Sequence, residues 1–376
     1  MRSTGPEDER VLSCDVGSLP PQIDPAVLRR GAQDVLSPGR ASSSAAFEFR
    51  RAILSALRDK LAAGIDVPTY PQFRDMNEMF LSVLSGLQRL EGRFVEISRL
   101  GVHDSRIPEV LVAREGAPGL ADELGLDKVR LRVCLTGPHT LSFQFAFRSP
   151  GLLTRLGRVL ARIAEANLVS GKRFEVAILA LDEPTFGVVD DQLVEPGSEG
   201  REALLKAWEE VFSIARSRGV LTCLHLHSTT DGLFWHVRAL DMVESHVGDT
   251  LYESAQTARL LEEHDKLLRA SICKTDFDAL VRARVEAELP GASEPAISER
   301  LGDIWRSITT GQLDPASLLE PVDLMARRLE AVIERFGPER VPFAGPECGL
   351  RGFPTYWCAI ECLRRVAEAC RAACAR

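Results

Sequence analysis

No run in this 376-residue chain approaches the ~18 consecutive apolar residues that a membrane-spanning helix needs. Residues 1–10 are polar and charged, not a basic stretch leading into an apolar one, so no secretory signal is expected. Basic charge is also short. Lys and Arg number 46 against 54 Asp and Glu, giving a net charge of -8 and a pI near 5.6. That balance argues against a nucleic-acid or anionic-membrane footprint, although it leaves room for a local basic pocket. There is no repeat of fixed period and no low-complexity tract longer than residues 41–46. An even cysteine count is missing too. Nine cysteines, spread from Cys14 to Cys374, read as free or metal-bound thiols of a reducing compartment and not as a disulfide scaffold. The chain is therefore expected to be cytoplasmic, with its oligomeric state open.

What is present is an ordinary globular balance: 45% hydrophobic residues, 27% charged residues and a mean hydropathy of -0.04. The length suits two or three domains of ~150 residues, or one large α/β barrel. Short β-branched or Leu-rich runs alternate with turn residues and long amphipathic stretches, the pattern of a parallel sheet with helical cover. Strands are expected at 11–16, 64–68, 129–135, 176–181, 220–227, 239–243, 267–272 and 341–343, which makes eight. Helices are expected at 46–63, 152–169, 201–217, 321–336 and 356–374. Two stretches exceed a minimal barrel: a hairpin or excursion at 94–127, and a helical insertion at 282–318 punctuated by Pro290, Gly291, Pro295 and Gly311. The expected architecture is a (β/α)8 TIM barrel filling residues 1–376 as one domain, with two smaller domains as the alternative.

The segment richest in chemistry is Cys223-Leu224-His225-Leu226-His227. Along a strand, alternate side chains share a face, so Cys223, His225 and His227 point one way and the leucines the other. Three such donors near a strand end can form half of a zinc site, or can be buried groups that hydrogen-bond inside a barrel. Glu244 follows the next strand and Cys348 the last one. In a parallel barrel all strand C-termini meet at one rim, so donors distant in sequence can converge. Polar punctuation falls at other strand ends as well: Gly17-Ser18, residues 70–75, Gly137-Pro138-His139-Thr140, Asp182-Glu183-Pro184 and Lys274-Thr275-Asp276. Each is common turn chemistry by itself, but together they describe a functional rim.

These residues resemble a known family. Gly17-Ser18, Arg74-Asp75-Met76, Gly137-Pro138-His139-Thr140, Asp182-Glu183-Pro184, His225, Glu244 and Cys348-Gly349-Leu350 occur in the order seen in the catalytic half of cobalamin-independent methionine synthase. The likeness runs from about Leu12 to Gly352 and lacks the long N-terminal half of the folate-using enzymes. It is therefore similar to the short single-barrel form, related to coenzyme M alkyltransferases and to the uroporphyrinogen decarboxylase superfamily.

The resemblance implies a zinc ion that holds a substrate thiol as thiolate for attack on an electrophilic carbon. It implies His225, Glu244 and Cys348 as ligands, with His227 at the remaining ligand position. Ser18, Gln72 and Asp182 would line the thiol pocket, with Arg74 and Glu183 as further substrate contacts. Asp182 and His139 are the candidate catalytic groups. The implied reaction is homocysteine to methionine, with a methylated corrinoid, free or protein-borne, as donor. Two departures stand out. His227 replaces a family cysteine, making the site one charge less negative, and Gln72 replaces the glutamate that meets homocysteine's ammonium. Zinc-thiol alkyl transfer is thus better supported than homocysteine itself.

Rival readings are alkyl transfer to coenzyme M, a metal-free decarboxylase gathering carboxylates with Arg29, Arg30 and Arg40, and a barrel that has lost activity. Arg74 and Lys274 are rim cations that either bind a substrate oxyanion or pair with a neighbouring acid. The Cys358/Cys362 and Cys370/Cys374 pairs, four apart on the last helix, are expected to be helix packing. Cys14, Cys134 and Cys273 read as core, and His236 and His264 need no special role.

Overall fold

The computed structural model describes residues 10–374. The polar start read above and the side chain of Cys374 lie outside the described residues. The strands in chain order are β1 (Leu12–Ser13), β2 (Leu84–Leu90), β3 (Arg93–Val102), β4 (Val129–Thr136) and β5 (Phe174–Glu183). They continue with β6 (Leu221–Leu226), β7 (Met242–Glu244), β8 (Leu267–Cys273) and β9 (Phe343–Pro346). β2 and β3 pair with each other as an antiparallel hairpin. The other seven form one curled parallel sheet in the order β1-β9-β8-β7-β6-β5-β4. No helix among the described residues is long and apolar enough to cross a membrane.

Parallel strands buried on both faces read as near-continuous apolar runs, and β4 and β5 do. Leu131, Val133 and Leu135 of β4 and Ile178, Leu179 and Leu181 of β5 are wholly buried. The covering helices bury one stripe each. Ser149 caps Pro150–Asn167 by accepting from the Leu152 N–H. Leu152, Leu156, Leu160 and Ile163 then recur at three- and four-residue spacing on its buried face. That helix crosses Glu199–Ser217 where Gly157 lies against Ala207, and no Cβ fits between them. Burying each leucine contributes about 1.5–3 kcal/mol, and Gly157→Leu would wedge the two helices apart.

Between the sheet's edges, β1 and β4, runs the stretch read from sequence as a strand at 64–68. It forms no regular strand. Isolated parallel bridges join Cys14 to Val67, Ser18 to Gln72 and Thr69 to Arg132. The Val67 N–H donates to the Ser13 carbonyl at 3.0 Å, and the Arg132 N–H donates to that of Pro68 at 2.9 Å. Pro68 and Pro71 have no N–H to give, which breaks any continuous ladder here. The excursion also starts earlier than expected, with β2 opening at Leu84, and it continues into the helix Pro108–Glu123. The later insertion is helical as expected, comprising Phe277–Glu288, Glu294–Thr309 and a single turn at Pro315–Leu318.

Candidate metal centre at the rim of the sheet

Four adjacent strands place one row of residues level with each other. Thr136 on β4 is the register partner of Asp182 on β5, Asp182 of His225 on β6, and His225 of Glu244 on β7. Register partners on parallel neighbours share a face, so all four side chains emerge together at the strands' C-terminal ends. Two residues beyond His225, Glu244 and the β9 terminus Pro346 stand His227, His246 and Cys348. Ligand atoms of His225, His227, His246 and Cys348 all lie within 4.8 Å of one another. His225 is buried and the other three are half-buried. The Cys348 Sγ is 3.6 Å from His227 Nε2. A tetrahedral ion with bonds of ~2.0–2.3 Å has ligand atoms roughly 3.5 Å apart, so this edge already has metal-site dimensions. The Nε2 atoms of His225 and His246 are buried without a hydrogen-bond partner. Buried polar atoms are nearly always satisfied, and two such orphans beside a thiol mark a place for a cation.

Glu244, expected as a ligand, stands outside this group of donors. Its side chain is fully buried and faces the inner layer, where Arg132 donates to both carboxylate oxygens at 2.5 and 3.0 Å. Arg269 Nε lies 2.9 Å from Oε2. Burial pushes this carboxyl up, but the two guanidiniums prevail and hold it well below the usual carboxylate range. His246 occupies the position expected of Glu244. The sequence carried a signal for it, because residues two apart on extended chain share a face, and His246 is two beyond Glu244.

The donors are electrostatically coupled. Burial opposes the charge on His225, yet the Cys348 sulfur and the Glu244 carboxylate raise its pKa to about 10. Burial likewise opposes ionisation of Cys348, and contacts with His225, His227 and His246 outweigh it, leaving the thiol well below its ordinary value. These shifts describe a thiolate paired with a protonated His225, and a cation binding here would have to displace that proton.

The residues expected to line a thiol pocket lie beside the donor cluster. Ser18 and Gln72 are bridge partners, and the Leu350 N–H donates to the Ser18 carbonyl at 2.8 Å, drawing the Cys348 loop against them. Gly349 packs on the Ser18 side chain so closely that no Cβ fits, and Gly17, at φ 132°, adopts a backbone conformation only glycine takes readily. Asp182 accepts from the Cys134 thiol at 2.6 Å through Oδ2, while its buried Oδ1 has no partner. Burial raises the pKa of this carboxyl against the pull of His225 and Arg132.

Three expected site residues are engaged elsewhere. Glu183 alternates to the opposite face of β5 from Asp182 and accepts from the N–H groups of His139 and Thr140 at 2.9 and 2.8 Å and from Trp208 Nε1 at 2.9 Å. It caps the turn after β4. His139 is wholly buried, edge-on to Phe143 and Phe186. Its ring nitrogens lie 2.9 Å from Thr185 Oγ1 and 2.9 Å from Asp191 Oδ2, so neither is left for catalysis. Arg74 donates twice to the buried Glu109, at 2.7 and 2.8 Å, the ion-pair alternative raised above. Cys223 shares the face of His225 but sits two residues deeper, next to Arg132 and Glu244, and is not one of the four donors.

The fold has solved counterparts at low sequence identity. A B12-independent methionine synthase from Shewanella sp. W3-18-1, in complex with selenomethionine, superposes with a TM-score of 0.62 at 14% identity, over 96% of this chain and 97% of the other. A candidate vitamin-B12-independent methionine synthase from Listeria monocytogenes gives 0.59 at 12%, over 96% and 98%. A methyltransferase from Methanosarcina mazei gives 0.54 at 13%, over 96% and 94%. No family model and no curated protein sequence matches the chain.

Proposed function

We propose that this chain is a zinc-dependent alkyltransferase that moves a methyl or similar alkyl group onto a small thiol. In this reading it works as one barrel domain in which residues 67–72 supply the eighth stave. The observation that carries the reading is the convergence of three imidazoles and one thiol at the strands' C-terminal rim. Nitrogen and sulfur donors in a compact group of four suit zinc better than hard ions such as magnesium or calcium. The ligands are His225, His227, His246 and Cys348. When bound, zinc supplies a Lewis acid able to keep an incoming thiol, of ordinary pKa ~8.5, deprotonated at neutral pH.

The chain's own residues do the rest. Glu244, clamped by Arg132 and Arg269, keeps its negative charge 2.9 Å from the His225 Nδ1. Asp182 offers its unpartnered Oδ1 to a cationic group on the acceptor, and Ser18 and Gln72 orient that acceptor across the rim. A free carboxylate next to the thiol pocket favours an acceptor with an ammonium, hence homocysteine over coenzyme M. Gln72, neutral where a second carboxylate is expected, keeps coenzyme M as the alternative. His225, His227, His246 and Cys348 would hold a divalent ion with three neutral donors and one thiolate, a set that would make a sulfur bound there less nucleophilic than a second thiolate ligand would. Such a centre calls for a highly activated donor, and a methylated corrinoid meets that requirement.

The test is metal analysis of the purified protein, followed by alkylation of homocysteine and of coenzyme M by methylcobalamin with and without chelator. One zinc per chain with chelator-sensitive turnover of homocysteine is expected. Protein free of bound metal that alkylates neither thiol would favour a metal-free decarboxylase-like chemistry, and stoichiometric zinc with no turnover of any thiol would favour an inactive barrel.

A further inference from the structure

A cavity of about 260 Å³ opens on the same rim, between the helix Pro25–Leu36 and the short helix Met76–Leu81. Leu28, Phe73, Met79 and Val83 give it apolar walls. It begins where the thiol pocket ends, since Phe73 directly follows Gln72 and Arg351 lies three residues beyond Cys348.

The charges around it are unevenly spent. Of the acids that line it, Asp75 accepts from the N–H groups of Asn77 and Glu78, both at 3.0 Å, and Glu78 pairs with Arg89 at 2.9 Å. Arg74 is occupied by Glu109. Arg29 and Arg351 are exposed and have neither hydrogen bond nor ion pair among the described residues. Two unclaimed guanidiniums thus stand at the mouth of an apolar cavity. Guanidinium matches carboxylate and phosphate geometry, and apolar walls match a flat ring.

We propose that this cavity binds an organic anion, its flat apolar body between the two helices and its carboxylate or phosphate on Arg29 and Arg351. A corrin macrocycle is too large for a cavity of this size, so the site is separate from the donor's seat and does not rest on the alkyl-transfer reading.

The experiment is fluorescence titration with 8-anilinonaphthalene-1-sulfonate of the whole protein, metal-loaded and chelated, alongside its neutral relative N-phenyl-1-naphthylamine. One saturable site is expected in both metal states. Arg29→Ala/Arg351→Ala, two exposed positions, is expected to weaken the anionic dye about 10-fold or more while leaving the neutral dye within about 2-fold. Ser82→Trp, at the exposed lip, is expected to block both dyes. 1-Naphthoate and 1-naphthyl phosphate are competitors that separate the two anion types, and displacement by either supports the site. Equal anionic-dye affinity in the double variant, failure of both competitors, or indifference to Ser82→Trp would overturn it. Because binding is read in the chelated protein, its loss leaves the zinc chemistry standing, and loss of alkylation leaves this site standing.

Discussion

Glu244 and His225 are register partners on adjacent strands, with the carboxylate Oε1 2.9 Å from the ring Nδ1. On its far side the same carboxylate is gripped by Arg132 and Arg269, both wholly buried. The acid thus neutralises an interior pair of cations and supports the innermost donor of the rim cluster from below. Its charge is spent inward, and the outward position is taken by His246.

A ligand and the group behind it differ in what their loss does to a bound ion. His246→Ala is expected to cut zinc affinity by more than 100-fold, whereas Glu244→Gln should cost about 10- to 100-fold, the usual range for a group supporting a ligating histidine. Cobalt substitution checks the assignment independently of activity. The sulfur-to-metal charge-transfer absorption should persist in Glu244→Gln and vanish in Cys348→Ser. A spectrum unchanged in His246→Ala would remove that residue from the ligand set.

The Arg132–Glu244–Arg269 trio also carries a stability prediction. Removing one partner of a buried ion pair leaves an uncompensated charge and typically costs about 3–5 kcal/mol. Arg132→Met is expected to fall below that range by urea unfolding, because Glu244 keeps Arg269, itself anchored on the Cys14 and Pro346 carbonyls at 2.8 and 2.9 Å. Glu244→Gln should cost at least as much, since both guanidiniums then face no anion. A loss below about 1 kcal/mol in both variants would mean that water reaches the trio.

How far the sequence could be read depended on whether the relevant contact was local. The strands that sit fully inside the sheet announced themselves as apolar runs, and β4 to β6 were placed within a few residues. His225, His227 and Cys348 were legible because a parallel sheet must deliver its C-termini to one rim. Residues 64–72 were harder, because two prolines break the ladder while bridges at Val67, Thr69 and Gln72 still hold the chain extended. β2 was missed because Gly86, at φ 84°, interrupts its alternation with a bulge. Glu244 was misplaced for a different reason. Its fate depends on Arg132, more than a hundred residues earlier, and an arginine inside a strand looks like surface until its partner is known. Glu183 and His139 were promoted by motif position alone. Alternation on β5 sends Glu183 to the side opposite Asp182, and there it satisfies the Trp208 indole and the backbone of His139.

That alternation makes two consecutive acids separable. Asp182→Asn removes a carboxylate with an unpartnered, buried oxygen and, on the proposed function, should raise the half-saturating concentration of homocysteine about 10- to 100-fold with little change for coenzyme M. Glu183→Gln instead turns an amide toward three donors and should lower stability by about 1–3 kcal/mol while leaving acceptor preference unchanged. Steady-state kinetics with both thiols, paired with urea unfolding of both variants, reads the two effects apart. Reversed assignments, with Glu183→Gln changing preference, would place the pocket on the other face of β5.

At the opposite end of the sheet, Lys266 enters β8 wholly buried, its Nζ donating to the carbonyls of Val237 and Leu240 at 2.7 and 2.8 Å. Burial lowers its pKa to about 8, with Asp241 opposing. In the unfolded chain the same amine titrates near 10.4. Below pH 8 it is protonated in both states, so the cost of burying the charge is constant and stability does not depend on pH through this group. Between pH 8 and about 10.4 the unfolded chain holds the proton that the folded one has released, and stability must therefore rise with pH. At about 1.4 kcal/mol per unit, the gain over the whole window is on the order of 3 kcal/mol. Buried thiols and tyrosines such as Cys134 and Tyr70 titrate in the opposite sense at high pH, so the quantity to follow is the difference between wild type and Lys266→Met. That difference, from urea midpoints at pH 7.5, 8.5 and 9.5, should shift progressively in favour of wild type. Parallel curves across the range would show that the ammonium stays charged inside, carried by the two carbonyls alone.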